Sequence, residues 1–237
     1  MVRACVSSVV FIVLTLIATL LAVPSRLFDP SGDGVLWLAR WWARGVLATA
    51  GVRLEVRARG RLDPARPYVF MANHLSFMDV WPILVSIPVS LRFIAKKQIA
   101  AIPLFGWAMH AGRFIFIDRQ NSESARRSIA EAARRIRAGQ SVVLFPEGTR
   151  SRDGRLGPFK KGGFHLAVDS GADIVPLAIR GTRELMPRGT LLIRAGAVSL
   201  DIDEPIPTAG LSPEGVDALL ERVRGRIAEM LSQAEPS

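Results

Sequence analysis

The segment Tyr68-Val69-Phe70-Met71-Ala72-Asn73-His74-Leu75-Ser76-Phe77-Met78-Asp79 joins a short apolar run to a polar loop. The run Tyr68–Ala72 has no alternation of apolar and polar side chains, which is the pattern of a strand covered on both faces. A helix is expected from Val80 to Ile87, with Pro82 in its first turn and Pro88 closing it. Strand, loop and helix in that order place His74 and Asp79 at the C-terminal edge of a sheet. Open α/β sheets bind their ligands at that edge.

Working outward toward the C-terminus, the same alternation continues. Short apolar runs at Arg92–Ala95, Phe114–Ile117, Ser141–Phe145 and Ile174–Ile179 read as strands. Two more strands are expected at Leu191–Arg194 and Val198–Ile202. Helices are expected at Ser122–Ala138 and Gly163–Asp169, closed by Gly139 and Gly171. Val216, Leu219, Leu220, Val223, Ile227, Met230 and Leu231 keep helical spacing, which gives a C-terminal amphipathic helix. Pro176 inside Ile174–Ile179 suggests an edge strand or a bulge. Strands interleaved with helices give an α/β layered domain.

Working outward toward the N-terminus, Val52, Leu54 and Val56 alternate with Arg53, Glu55 and Arg57, a half-exposed strand. Before it the character changes. Cys5–Val23 carries no charge and, as a helix, would run roughly 28 Å, close to a hydrocarbon core. A signal peptide, a single span and an anchor in one leaflet all compete for this segment. Leu21-Ala22-Val23-Pro24 is a poor cleavage site. Val35–Gly51 reads as a second helix with Trp37, Trp41, Trp42, Arg40 and Arg44, a composition suited to a head-group boundary. Residues 1–51 are therefore expected to be membrane-anchoring helices, and residues 52–237 a catalytic domain.

The 237 residues allow one well-packed domain plus an appendage. Lys and Arg number 31 against 21 Asp and Glu, a net charge of +10 that attracts anionic head groups, phosphorylated substrates or acidic carriers. Basic–aromatic interleaving is missing outside the N-terminal helices, so no nucleic-acid partner is expected. Cys5 is the one cysteine, which excludes an internal disulfide and fits a cytosol-facing domain. His74, His110 and His165 lie far apart with no ligand cluster, and no metal is expected.

Four segments carry chemistry. In the first, the His74 imidazole can take a proton from a hydroxyl, and Asp79 can hold the other ring N–H. Ser76 and Asp79 also have the spacing of a helix capping box, with Asp in place of the usual Glu or Gln. No serine or cysteine stands in a nucleophile elbow, so the substrate's own hydroxyl would attack. In the second, Gly112–Arg119, a strand is bracketed by Arg113 and by Asp118 and Arg119; arginine suits forked contact with phosphate. In the third, Phe145-Pro146-Glu147-Gly148-Thr149-Arg150-Ser151, Gly148 allows a tight turn close to a ligand. Arg150, Arg152, Arg155, Lys160 and Lys161 then face Asp153 as the only acid, with Arg150 in the site and Arg152 and Arg155 on the surface. The fourth, Ile174–Ile179, is inert and could wall an apolar pocket. His110 and His165 read as packed histidines.

These four segments, in this order, resemble the glycerolipid acyltransferases, the 1-acylglycerol-3-phosphate acyltransferase group. Their His-x4-Asp hallmark is similar to His74–Asp79 preceded by Asn73, and their later blocks to Gly112–Arg119, Phe145–Arg150 and Val175-Pro176. The resemblance covers roughly residues 52 to 205. It implies a mixed central sheet flanked by helices, with an N-terminal hydrophobic helix pair embedded in one leaflet. It implies His74 as general base and Asp79 as its partner, with Asn73, Lys96, Arg119, Glu147, Gly148, Thr149 and Arg150 around the acceptor. The implied reaction makes phosphatidic acid from lysophosphatidate at the cytoplasmic side of the inner membrane. Acyl-CoA or acyl carrier protein would be the co-substrate, and no cofactor is expected. Another lysolipid acceptor, such as lyso-ornithine lipid, and a non-catalytic basic membrane-surface protein are the competing readings.

Overall fold

The structure is a computed structural model; it describes residues 2–118 and 122–233, apart from the side chains of residues 2–5, 122 and 213. The chain runs α1 (Val2–Ser25), α2 (Asp33–Ala50), β1 (Val52–Ala58), β2 (Val69–Ala72), a 3-10 turn (Phe77–Asp79), α3 (Val80–Ser86), β3 (Leu91–Lys96), α4 (Lys97–Ala100) and α5 (Phe105–Ala111). It continues β4 (Ile115–Ile117), α6 (Ser122–Arg137), β5 (Ser141–Leu144), α7 (Gly162–Ser170), β6 (Ile174–Arg180), α8 (Thr182–Leu185), β7 (Gly196–Ile202) and α9 (Val216–Ser232).

One sheet of order β1-β7-β6-β2-β5-β3-β4 forms the middle layer. β2 lies between β6 and β5 and is parallel to both. β7 runs antiparallel to β6, and β1 parallel to β7, so the sheet is mixed. The apolar run around β2 is buried on both faces because successive side chains alternate. Phe70 and Ala72 enter a core shared with α2 and α3. Val69 and Met71 enter the opposite core, shared with α6, α7 and α9. A two-sided sheet needs apolar residues on both faces of its central strands, and β2, β5 and β6 supply them at all positions but Ser141 and Arg180.

Two local expectations are corrected, and one alternative is decided. β6 is an interior strand, so of the two readings of Pro176 the bulge holds. Its pairing slips by one residue between Leu177↔Ile202 and the bridge Ile174↔Ile206, and Pro176 falls within that slip. The proline is tolerated at a bulge, where one N–H fewer leaves no gap in the ladder. Leu191–Arg194 is not a strand: Leu191 and Leu192 are exposed, and the chain there only leads into β7. A four-residue apolar run imitates a buried strand when judged by composition alone. Arg40, read with the head-group residues, points inward instead. It donates to the carbonyls of Leu84, Ile87 and Val89 at 3.1, 2.6 and 2.7 Å, the last two just beyond the end of α3.

α1 and α2 form an antiparallel hairpin laid along the sheet domain. Ser7 bonds Thr49, Trp42 bonds Thr15, and Ala22 packs with Val35 and Leu38. Phe11 and Trp42 continue the core to Trp81 of α3, their ring centroids 5.6 and 5.8 Å from that indole. The hairpin turn is held by Arg92 of β3. Its buried guanidinium reaches Ser31 O and Asp33 Oδ1 at 3.0 and 2.9 Å. Residues on either side of position 51 therefore share one apolar core. Among the described residues, Val6–Ser25 is the one helix long and apolar enough to cross a membrane, with a mean hydropathy of 2.7.

Candidate active site

Three parallel neighbours, β6, β2 and β5, end on the same edge of the sheet, and each sends a loop into one cluster. After β2 comes His74. Its Nδ1 lies 2.7 Å from Asp79 Oδ2. That oxygen also accepts the backbone N–H groups of Leu75 and Ser76, at 2.7 and 2.9 Å. Ser76 in turn accepts from Met78 N, so the capping box is present. The cap and the histidine share one carboxylate: the residue that starts the helix also orients the imidazole.

The second carboxylate oxygen has a partner that sequence reading missed. Thr182, the second residue after the end of β6, donates its hydroxyl to Asp79 Oδ1 at 2.5 Å. Both side chains are fully buried. Gly181 sets up this contact. It has a φ of +85°, and a Cβ there would stand 2.3 Å from Ala197 O. Only glycine fits both the left-handed backbone and the close approach. The Gly-Thr pair follows an apolar strand without any period, so only the folded sheet reveals its partner 103 residues away.

β5 leads into Phe145, whose ring stacks on His74 with centroids 3.9 Å apart and planes 14° apart. Stacking fixes one ring face, and the Asp79 bond fixes the rotation about it. Glu147 comes next. Its Oε1 accepts His74 N at 2.7 Å and its Oε2 accepts Gly157 N at 3.0 Å. Ser151 N completes the link by donating to His74 O at 2.7 Å. Gly148, at a φ of +73°, turns the backbone between Glu147 and Arg150. Burial pushes the Glu147 carboxyl above its ordinary range, against the two backbone N–H bonds, which favour the charged form.

The sequence reading groups Asn73 and Glu147 with the residues around the acceptor, and in the structure both side chains bond backbone groups of the protein. The Asn73 amide is buried between Ile179 O and Ile179 N, at 2.9 and 2.7 Å, and ties the end of β2 to β6. The Glu147 carboxylate faces backbone, not the cavity. Arg119 lies outside the described residues. His110 packs beside Phe116, its ring centroid 4.7 Å away, and does not reach the cluster.

A cavity of about 420 Å³ opens beside His74. Its lining includes the polar or basic His74, Lys96, Thr149, Arg150 and Arg188, with Gly148. Most of the remaining lining is apolar, including Ala18 and Ala22 of α1, Leu38 and Trp42 of α2, Leu84 of α3 and Phe93 of β3. Arg188 was not anticipated from sequence. It sits after α8 and donates to Arg150 O at 2.9 Å. Arg183 likewise holds the same loop through Asp153 O and Arg152 O, at 3.1 and 2.9 Å. Arg152 and Arg155 are exposed, as expected. An imidazole with a fixed ring, next to cations and an apolar chamber, suits a substrate with one anionic end and one long apolar end.

Comparison with known proteins agrees with this chemistry. The Acyltransferase family model matches residues 53–180. The chloroplastic 1-acyl-sn-glycerol-3-phosphate acyltransferase of Brassica napus is 38% identical over 167 residues, which cover 70% of this chain and 47% of that protein. The human 1-acyl-sn-glycerol-3-phosphate acyltransferase beta is 35% identical over 182 residues, covering 76% of this chain and 66% of that protein. The chain thus spans about half to two thirds of the length of these relatives. The crystal structure of the 1-acyl-sn-glycerophosphate acyltransferase PlsC from Thermotoga maritima superposes with a TM-score of 0.78 at 26% identity, covering 99% of both chains.

Proposed function

We infer, from the premise that this chain belongs to the acyltransferase family, that it transfers a fatty acyl group from a carrier thioester to the sn-2 hydroxyl of 1-acylglycerol-3-phosphate, giving phosphatidic acid. One observation carries this reading. His74, held by Asp79, lines a cavity that Lys96, Arg150 and Arg188 also line and whose remaining lining is mostly apolar.

With Nδ1 donating to Asp79, His74 presents an unprotonated Nε2 as the base. The acceptor's hydroxyl oxygen attacks the thioester carbonyl carbon as Nε2 takes its proton. Asp79 stabilises the imidazolium formed in that step. The tetrahedral intermediate then expels the carrier thiolate, which recovers the proton from His74. Lys96, Arg150 and Arg188 hold the acceptor phosphate, with Arg119 assigned to the same task from its motif. Thr149 and Gly148 line the same cavity. Asn73, Glu147 and Thr182 act by positioning: they lock the loops that carry His74 and Asp79. The donor is acyl-CoA or acyl carrier protein, both anionic.

Residues 52–237 carry the chemistry, while residues 1–51 anchor the chain and also wall the chamber. Because α1 lies along the domain through Ser7, Phe11, Thr15 and Ala22, we favour an anchor in one leaflet at the cytoplasmic face of the inner membrane. The test is an acceptor panel with the purified full chain and each donor. Lysophosphatidate should be acylated at least about tenfold faster than an acceptor of equal chain length lacking the phosphate. Equal rates on the two acceptors would defeat the assignment.

A further inference from the structure

The surplus of positive charge is not spread evenly. Residues 1–117 hold thirteen Lys and Arg against five Asp and Glu, whereas residues 118–237 hold eighteen against sixteen. An Arg-rich composition would raise both halves alike, so the surplus is local. No acid occurs between Gly34 and Leu54, or between Val80 and Ile117. The first of these stretches contains α2, with its exposed Trp37 and Trp41. The second contains α4 and α5, which the membrane reading of the N-terminal helices does not involve.

The α4–α5 segment is built onto the hairpin. α5 packs against α1, and Ala108 and Ala111 join Ala22, Val35 and Leu38 in a small core. Arg113, just after α5, donates to Pro30 O in the hairpin turn at 3.1 Å. The inner side of α5 supplies Phe105, Ala108 and Met109 to the cavity wall. Its outer side also carries large apolar residues, alongside exposed His110: Trp107 is 57% exposed, and Ile102, in the turn before α5, is 48% exposed. Lys97 precedes them, its side chain 65% exposed and its Nζ 3.4 Å from Asp118 Oδ2. In the hairpin turn Leu27 and Phe28 are exposed at 81% and 87%. Large apolar side chains left in water beside a stretch with more cations than acids match one kind of partner, a sheet of apolar chains behind anionic head groups.

We propose that α4–α5, through Ile102 and Trp107 with Lys97 behind them, is a second membrane-docking element that settles into the same anionic leaflet as the α1–α2 hairpin. This rests on the membrane-anchored reading above and adds a contact from the catalytic half of the chain. The consequence is functional. With the hairpin on one wall and α5 on the other, both sides of the chamber touch lipid, so an apolar chain can pass from leaflet to cavity without crossing water.

The test compares the full-length wild type with I102S/W107S. Neither residue lines the cavity, so turnover on a water-soluble short-chain lysophosphatidate should be unchanged. Partition onto vesicles of phosphatidylglycerol and phosphatidylcholine should fall by at least about tenfold, since two large apolar side chains leave the interface. Wild-type partition should also drop on pure phosphatidylcholine vesicles and with added salt. Equal partition of the two proteins, with wild type bound, would overturn the second element and leave the anchor standing. A variant that merely loses self-association, with its partition unchanged, would overturn it in favour of a second copy of the chain. A wild type that ignores vesicles would remove both this element and the anchored reading.

Discussion

The rim around His74 and the apolar layer of α1, α2 and α5 are held by different forces. At the rim, position is set by directional bonds between residues far apart in sequence. Asn73 bonds Ile179, Thr182 bonds Asp79 and Glu147 bonds His74 N. In the helical layer, contacts are mostly apolar, through Phe11, Trp42, Ala22, Val35 and Ala108, with Arg40 and Arg92 as fasteners. The difference follows from what each region must do. Proton transfer needs a ring held to within a fraction of an ångström, and hydrogen bonds between strand ends supply that. A chamber for an acyl chain needs volume and dryness, which packing supplies without much direction. Damage at the rim should therefore appear in turnover, and damage in the layer in stability.

Asp79→Asn should cut kcat by about 10²- to 10⁴-fold, because the amide can no longer accept all three bonds to Oδ2 or stabilise an imidazolium. Steady-state release of free thiol would measure it. In the helical layer, Arg40→Met should lower unfolding free energy by about 2–3 kcal/mol, since three carbonyls lose a charged donor. The denaturant midpoint would report this, and a midpoint equal to wild type would erase the distinction between the regions.

Thr182→Val should reduce kcat roughly tenfold at constant KM, while Thr182→Ser keeps most of the rate. An unchanged pH–rate profile in the valine variant would contradict a role through Asp79. The smallest effect concerns Glu147. Its folded pKa is raised by burial, so the fold favours the neutral acid. That contribution is full below the unfolded value of about 4.5 and is lost as pH rises through the raised folded value. Wild-type stability should therefore fall with pH across that window by up to about 1 kcal/mol more than that of Glu147→Gln. Parallel pH–stability curves would refute it.

The same contrast explains what the sequence discloses. His74 and Asp79 stand five positions apart on one loop, and Glu147, Gly148 and Arg150 within one turn, so local spacing exposes them. Every buried strand from β2 to β6 is visible as an apolar run. Thr182 and Arg188 are not legible, because their partners lie 103 and 38 residues away and the sheet order alone brings them together. Arg40 looked like a head-group ligand because its neighbours are tryptophans, yet its acceptors are backbone carbonyls 44 to 49 residues on. Composition does not carry that information. Pro176 illustrates a rule with two branches: the strand is interior and the bulge is present.

One measurement bears most directly on the claim that the His74 imidazole, held by Asp79, removes the acceptor's proton. The full-length His74→Ala chain, shown to be folded by its unfolding midpoint, is supplied with lysophosphatidate and a saturating acyl thioester, and phosphatidate formation is followed. The account predicts a loss of at least about 10³-fold in kcat with acceptor binding retained. Phosphatidate formed at the wild-type rate would contradict it.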